Sequence, residues 1–218
     1  MVCCRLLLLL PFLFGMVATP AYPAPTPAAR AAHEDSSITQ QILQETRRLA
    51  ALRIGYRGSW IPEGSRHPWI MDCSNTVRYL CLRLSGKDLG RTASDQYCRL
   101  QELGLLWPIP CDPHGRPSLS YLHRHLRPGD LLFWENTYRP ERDPPITHVM
   151  IYLGRTSRGR WLMVGSEPNH GFYNPRGSGP DLRIFDPLQS MGGFHRGFHY
   201  IPSKLVAHGR PWGERESE

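Results

Sequence analysis

The apolar pattern of this chain changes period once, near residue 130, and that change bounds the fold. Before it, apolar residues recur at helical spacing. Val77, Leu80, Cys81 and Leu84 stand at i, i+3, i+4 and i+7, one stripe of an amphipathic helix. After it come short apolar runs between turn clusters: 130–134 (DLLFW), 148–153 (HVMIYL), 161–164 (WLMV) and 182–185 (LRIF). These read as strands, and 194–201 (FHRGFHYI) as a candidate fifth. Helices first and strands second predict an α+β fold with an antiparallel sheet.

Cap signals place the helices. Ser37-x-x-Gln40 is a capping-box pattern ahead of Ile38, Ile42, Leu49 and Leu52, which predicts a helix over 37–53. The stripe after Cys73 stops at Gly86. Thr92-x-x-Asp95 opens a helix through Leu103 that Gly104 closes, and Ser118 caps a third short one containing Leu119 and Leu122. With 20 Gly and 21 Pro the chain has many turns but is not of low complexity.

The N-terminus has a different character. Arg5 precedes a 13-residue apolar run, Leu6–Ala18. This is short of the roughly 20 residues a membrane-spanning helix needs, and it fits a signal peptide over 1–24 with cleavage between 18 and 28. No transmembrane segment is expected after its removal. An Ala/Pro-rich linker is expected over 25–35, a catalytic domain over 36–204 and a loose polar tail over 205–218. Export to the periplasm or the extracellular envelope follows from the leader. Cys3 and Cys4 fall within it, leaving Cys73, Cys81, Cys98 and Cys111. Cys81 is expected as a buried free thiol; Cys98 and Cys111 are expected either as a disulfide or as packed thiols.

Several chemistries lack their motif. The chain has no phosphate-binding Gly-rich loop, no G-x-G-x-x-G, no G-x-S-x-G, no H-E-x-x-H and no C-x-x-C. The histidine pairs 123/125 and 195/199 have no acidic partner at ligand spacing, so neither metal nor cofactor is expected. Net charge is +7, and 24 of the 26 basic residues are Arg. For an exported protein that balance suits an anionic envelope rather than nucleic acid.

The informative segment is Asp72-Cys73-Ser74-Asn75 at a helix start. Free N–H groups and the helix dipole there favour a thiolate and stabilise an oxyanion. A cysteine nucleophile needs a base, and His148 at the head of a later strand can face that helix end.

Five pieces in order then carry a resemblance: Tyr56; Asp72-Cys73-Ser74 with the apolar helix; Arg91–Gln96 (RTASDQ); Arg127–Phe133 (RPGDLLF); and His148–Gly154 (HVMIYLG). Over roughly 45–175 the chain resembles the NlpC/P60 family of bacterial cell-wall cysteine peptidases. The resemblance implies a papain-like α+β fold, with N-terminal helices packed on an antiparallel sheet. It implies Cys73 as nucleophile and His148 as base, with Tyr56 donating a hydrogen bond near the reacting centre. Asp72 and Ser74 would recognise substrate, Asp72 through a free amine on the peptide; Arg91 and Asp130 look structural. The implied substrate is the peptidoglycan stem peptide, commonly cut between γ-D-glutamyl and a diamino acid.

The sequence departs from the family pattern in three places. Asn75 stands where Gly is usual, and the stretch between Tyr56 and Cys73 is longer. The polar residue that orients the histidine is expected near Gly165, so Asn169 and His170, with Ser166 behind them, are the substitutes. Loop 135–147 is a candidate wall of the substrate cleft. Two other classes stay open: a weak or inactive wall-peptide binder, and a Cys–His acyl or amide transferase on another substrate.

Overall fold

The computed structural model describes residues 27–58 and 70–212, with side chains from residue 37 onward. The expected leader, residues 1–24, lies outside them, as do 59–69 and 213–218. Four helices are described, α1 (Pro27–Ala51), α2 (Cys73–Ser85), α3 (Ala93–Glu102) and α4 (Leu119–His125). The strands are β1 (Leu106–Pro108), β2 (Leu131–Glu135), β3 (Ile146–Arg155), β4 (Trp161–Glu167), β5 (Gly179–Phe185), β6 (Gly193–Arg196), β7 (His199–Pro202) and β8 (Lys204–Gly209). Six form an antiparallel sheet in the order β1-β8-β2-β3-β4-β5, and β6 and β7 form a separate hairpin. The fold is α+β. No helix among the described residues is long and apolar enough to cross a membrane.

The cap signals at Gly86, Thr92 and Ser118 hold, whereas Ser37 lies inside α1 rather than at its start. Asp72 caps α2 by accepting the Asn75 amide, and Gly86 leaves the helix at φ 69°. Thr92 and Asp95 form a reciprocal capping box on α3, and Ser118 caps α4.

Both faces of the sheet are buried, which is why its strands read as unbroken apolar runs rather than alternating ones. On one face, Leu131 and Phe133 of β2, Val149, Ile151 and Leu153 of β3 and Val164 of β4 meet Ile42 and Leu49 of α1, Val77, Leu80 and Cys81 of α2 and Leu100 of α3. On the other, Trp134, Met150, Tyr152, Trp161, Met163 and Phe185 pack with Leu122 of α4 and Leu205 of β8. Each fully buried side chain of this size contributes about 1.5–3 kcal/mol relative to exposure.

Two stretches differ from expectation. Helix α1 begins at Pro27, so most of the expected linker over 25–35 is helical. Pro27 occupies a first-turn position where its missing N–H costs nothing, and the Ala/Arg run behind it favours helix. Residues 213–218 of the expected loose tail lie outside the described residues, and its first residues, 205–209, instead belong to β8, inserted between β1 and β2. Asp130, fully buried, holds it there by accepting His208 Nδ1 at 3.1 Å and Arg210 Nε at 2.9 Å. Trp212 adds a bond from its indole N–H to the Gly129 carbonyl.

The described cysteines are all free, so Cys98 and Cys111 do not pair; Cys81 is fully buried.

Candidate active site

Cys73 is the first residue of α2, and its sulfur lies against the backbone amide of Val149 on β3. That contact sets the helix end beside His148, the neighbour of Val149. The amides of Ser74 and of Cys73 itself also act on the sulfur. The polar residues of the flanking motif brace this junction. Gln96, fully buried, donates from Nε2 to the Ser74 carbonyl at 2.8 Å. Ser94 Oγ bonds the Pro144 and Ile146 carbonyls at 2.9 and 3.0 Å, fixing the chain that delivers His148. Thr147 Oγ1 accepts from both the amide and the hydroxyl of Thr137 at 2.8 Å, tying down the preceding loop.

Tyr56 reaches the same place. Gly55 bridges to Ile70, and the Met71 amide bonds the Gly55 carbonyl at 2.9 Å, so Tyr56 runs beside Asp72 whatever the loop length between them. Burial first, then the nearness of Cys73 and Asp72, raise the Tyr56 phenol pKa, so it stays a donor. Tyr56 and His148 line a cavity of about 910 Å³ together with Thr137, Tyr138, Glu167 and Asn169. Thr137 and Tyr138 belong to loop 135–147, which therefore forms part of the cleft wall. Beyond them the cavity runs along Trp161, Met163 and Phe185.

Asp72 and Ser74, expected to recognise substrate, sit in an internal network. Asp72 Oδ1 accepts the Asn75 amide at 2.8 Å and the Ser74 hydroxyl at 3.1 Å; Oδ2 pairs with Arg91 Nη2 at 3.0 Å. Arg91 also donates to Ser74 Oγ and to the Gly58 carbonyl.

The acidic group facing the far nitrogen of His148 is Glu167, which the sequence reading passed over. Nε2 lies 3.8 Å from Glu167 Oε1 and has no hydrogen-bond partner among the described residues. Of the three residues expected there, Ser166 uses its side chain elsewhere, while Asn169 and His170 take part through their backbone carbonyls. Ser166 Oγ donates to the Met71 carbonyl at 2.6 Å, while the carbonyls of Asn169 and His170 accept from Arg183 at 2.6 and 2.8 Å. A side chain at 165 would overlap Met150 Sδ, so the orienting position moves two residues along the same strand face to Glu167. The register of the structure accounts for this placement, which the sequence alone does not show. β3 and β4 pair with Ile151 opposite Val164 and Tyr152 opposite Met163, and the same count carried on sets His148 opposite Glu167.

The electrostatics reverse one expectation. Burial, then the Asp72 carboxylate, push the Cys73 thiol up to about 12, against the three amides that favour the thiolate. The residue that caps α2 thus offsets the helix-end field with its own charge. Burial, then the Arg183 guanidinium, lower the His148 pKa to about 4. The Trp134 ring lies 5.7 Å from the imidazole and helps to keep water from it. The resting pair is a neutral thiol beside a neutral imidazole.

No curated protein matches the chain. Residues 61–164 match the NlpC/P60 family, a span that contains Cys73, Gln96, Asp130 and His148. This match agrees with the resemblance carried by the sequence: over 61–164 the chain is similar to the NlpC/P60 family, whose members are generally cysteine peptidases.

Proposed function

We propose that this protein is an exported cysteine hydrolase that cleaves amide bonds in peptidoglycan stem peptides through a thioester. The observation that carries the reading is the junction of Cys73, at the head of α2, with β3 at His148–Val149. His148 turns Nε2 toward Glu167, which leaves Nδ1 as the nitrogen for the thiol proton. In the first half-reaction the Cys73 proton passes to His148 as sulfur attacks the carbonyl carbon. The backbone amides around the sulfur are then at hand for the oxyanion. The imidazolium protonates the leaving amine, and the C–N bond breaks to give the thioester. In the second, His148 takes a proton from water, hydroxide adds to the thioester, and the carboxylate leaves with the Cys73 thiol restored. Glu167 stabilises the imidazolium in both halves, closing the 3.8 Å gap by about 1 Å to reach hydrogen-bond distance. The scissile bond we favour joins γ-D-glutamyl to a diamino acid, as is common in the family.

The test is digestion of purified muropeptides followed by mass analysis. New fragments that vanish in Cys73→Ala support the reading; unchanged muropeptides beside hydrolysis of another amide favour a different substrate. A thiol probe located by peptide mapping separates enzyme from binder, because the exposed Cys111 reacts as an internal control. Labelling of Cys111 without Cys73 supports the second reading, an inactive wall-peptide binder. That reading draws on the raised thiol pKa of Cys73 and the unpartnered His148 Nε2.

A further inference from the structure

Behind Glu167 stands a buried cation that the mechanism above does not use. Arg183 on β5 is 6% exposed. It donates from Nη1 to the His170 carbonyl at 2.8 Å and from Nη2 to the Asn169 carbonyl at 2.6 Å, with a longer bond to the Gly179 carbonyl at 3.3 Å. These partners are neutral. Its close anion is Glu167, with Oε2 at 3.4 Å from Nη1. Asp181 is near on the same strand, but its oxygens take the amides of Tyr173, Asn174 and Leu182. The Glu167 carboxylate therefore lies between two groups, one always charged and one charged only when His148 takes the thiol proton.

We propose that Arg183 is a positioning residue that draws the Glu167 carboxylate away from His148 and so holds back formation of the thiolate–imidazolium pair until substrate is engaged. The inference rests on the proposed roles of Cys73, His148 and Glu167, though not on the identity of the substrate. The separations show the balance: Glu167 is nearer Arg183 at 3.4 Å than His148 at 3.8 Å, and the imidazole nitrogen is left without a bond. The carbonyl clamp at 169, 170 and 179 keeps the guanidinium from following the carboxylate. Arg183 also acts directly, because a fixed positive charge in a buried site opposes a second one on His148. The lowering of the His148 pKa, in which Arg183 follows burial, agrees with this.

The other titratable and charged groups at the centre come from every neighbouring element. They are Cys73 and Asp72 at the head of α2, Tyr56 before it, Tyr138 in the loop before β3, and Arg160 and Asp186 farther along the cavity. None of these changes when Arg183 is replaced, so a shift in His148 titration reports Arg183 and Glu167.

The experiment needs no substrate. His148 titration is followed by NMR in the folded protein, and Cys73 alkylation by iodoacetamide is timed at pH 7 with peptide mapping. Arg183→Gln is expected to raise the His148 midpoint by about one unit or more and to speed Cys73 alkylation several-fold. Arg183→Lys keeps the charge and is expected to leave the midpoint within about 0.3 unit. An Arg183→Gln protein that is folded, with the midpoint unmoved or lowered, overturns the proposal and leaves Arg183 as a brace for the 169–170 turn. Should Arg183→Gln fail to fold, Arg183→Lys in a Glu167→Gln background decides. There the lysine has no carboxylate to hold, and alkylation matching that of Glu167→Gln alone supports the proposal, whereas further acceleration overturns it. Muropeptides left uncut while these shifts occur would defeat the proposed substrate and leave this inference standing.

Discussion

Acidification tests the central electrostatic claim. His148 is buried and neutral, with its pKa brought to about 4 from an ordinary 6.5. In the unfolded chain the same imidazole takes a proton near its ordinary value. Below pH 6.5 the unfolded state therefore binds one more proton than the native state, and stability falls until pH 4, where both are protonated. The shift is about 2.5 units, and at 1.36 kcal/mol per unit the loss is about 3 kcal/mol between pH 6.5 and 4. Above pH 6.5 the contribution is complete and flat. Urea unfolding of wild type and His148→Gln at half-unit steps from pH 7.5 to 4 isolates it. The other nine histidines are common to both proteins, so the difference curve belongs to position 148. The absolute cost of the substitution drops out because only the slope is read. A difference curve flat over the range, or an NMR midpoint for His148 at 6 or above, refutes the claim. Catalysis shares the consequence: a base that stays unprotonated down to pH 5 gives kcat/KM no acid limb near pH 6.

Three other outcomes follow from the braces. Asp130→Asn removes the charge that faces His208 and Arg210, and the urea midpoint should fall by the equivalent of about 3 kcal/mol. Gln96→Ala strips one bond from the Ser74 carbonyl at the α2 terminus and one from the Gly90 carbonyl; about 2 kcal/mol of stability should go, and the pH profile of Cys73 alkylation should move. Thr92→Ala deletes the α3 cap and should cost about 1 kcal/mol while Cys73 alkylation stays as in wild type.

What the sequence made legible was local. Caps at Thr92 and Ser118 involve partners within three residues, so spacing alone reveals them. Cys73 was legible because it opens α2, and His148 because it heads the apolar run 148–153 within β3. The misses are long-range. β8 carries a histidine and short apolar residues, and its burial depends on Asp130, 78 residues away. Glu167 was hidden because a glutamate at a strand end looks like a solvated edge; only the register with β3 turns it inward. The thiol was misjudged because helix-end theory counts the amides but not the carboxylate that caps them. The Gly55–Ile70 bridge, invisible in sequence, explains why a longer interval leaves Tyr56 in place.

The placement of β8 also bears on how the protein comes into being. β2 is flanked by β3, which closely follows it in the chain, and by β8, which begins 69 residues after β2 ends. Until residue 209 has emerged, Leu131–Glu135 offers an open edge of backbone donors and acceptors, and Asp130 is a carboxylate without its cations. The strand that carries His148, next to β2, rests on that unfinished sheet. Synthesis thus imposes a delay: Cys73 and His148 exist early, but the platform that holds them together closes last. On the proposed function, a chain stalled or clipped before Lys204 is expected to lack hydrolase activity and to be adhesive along β2.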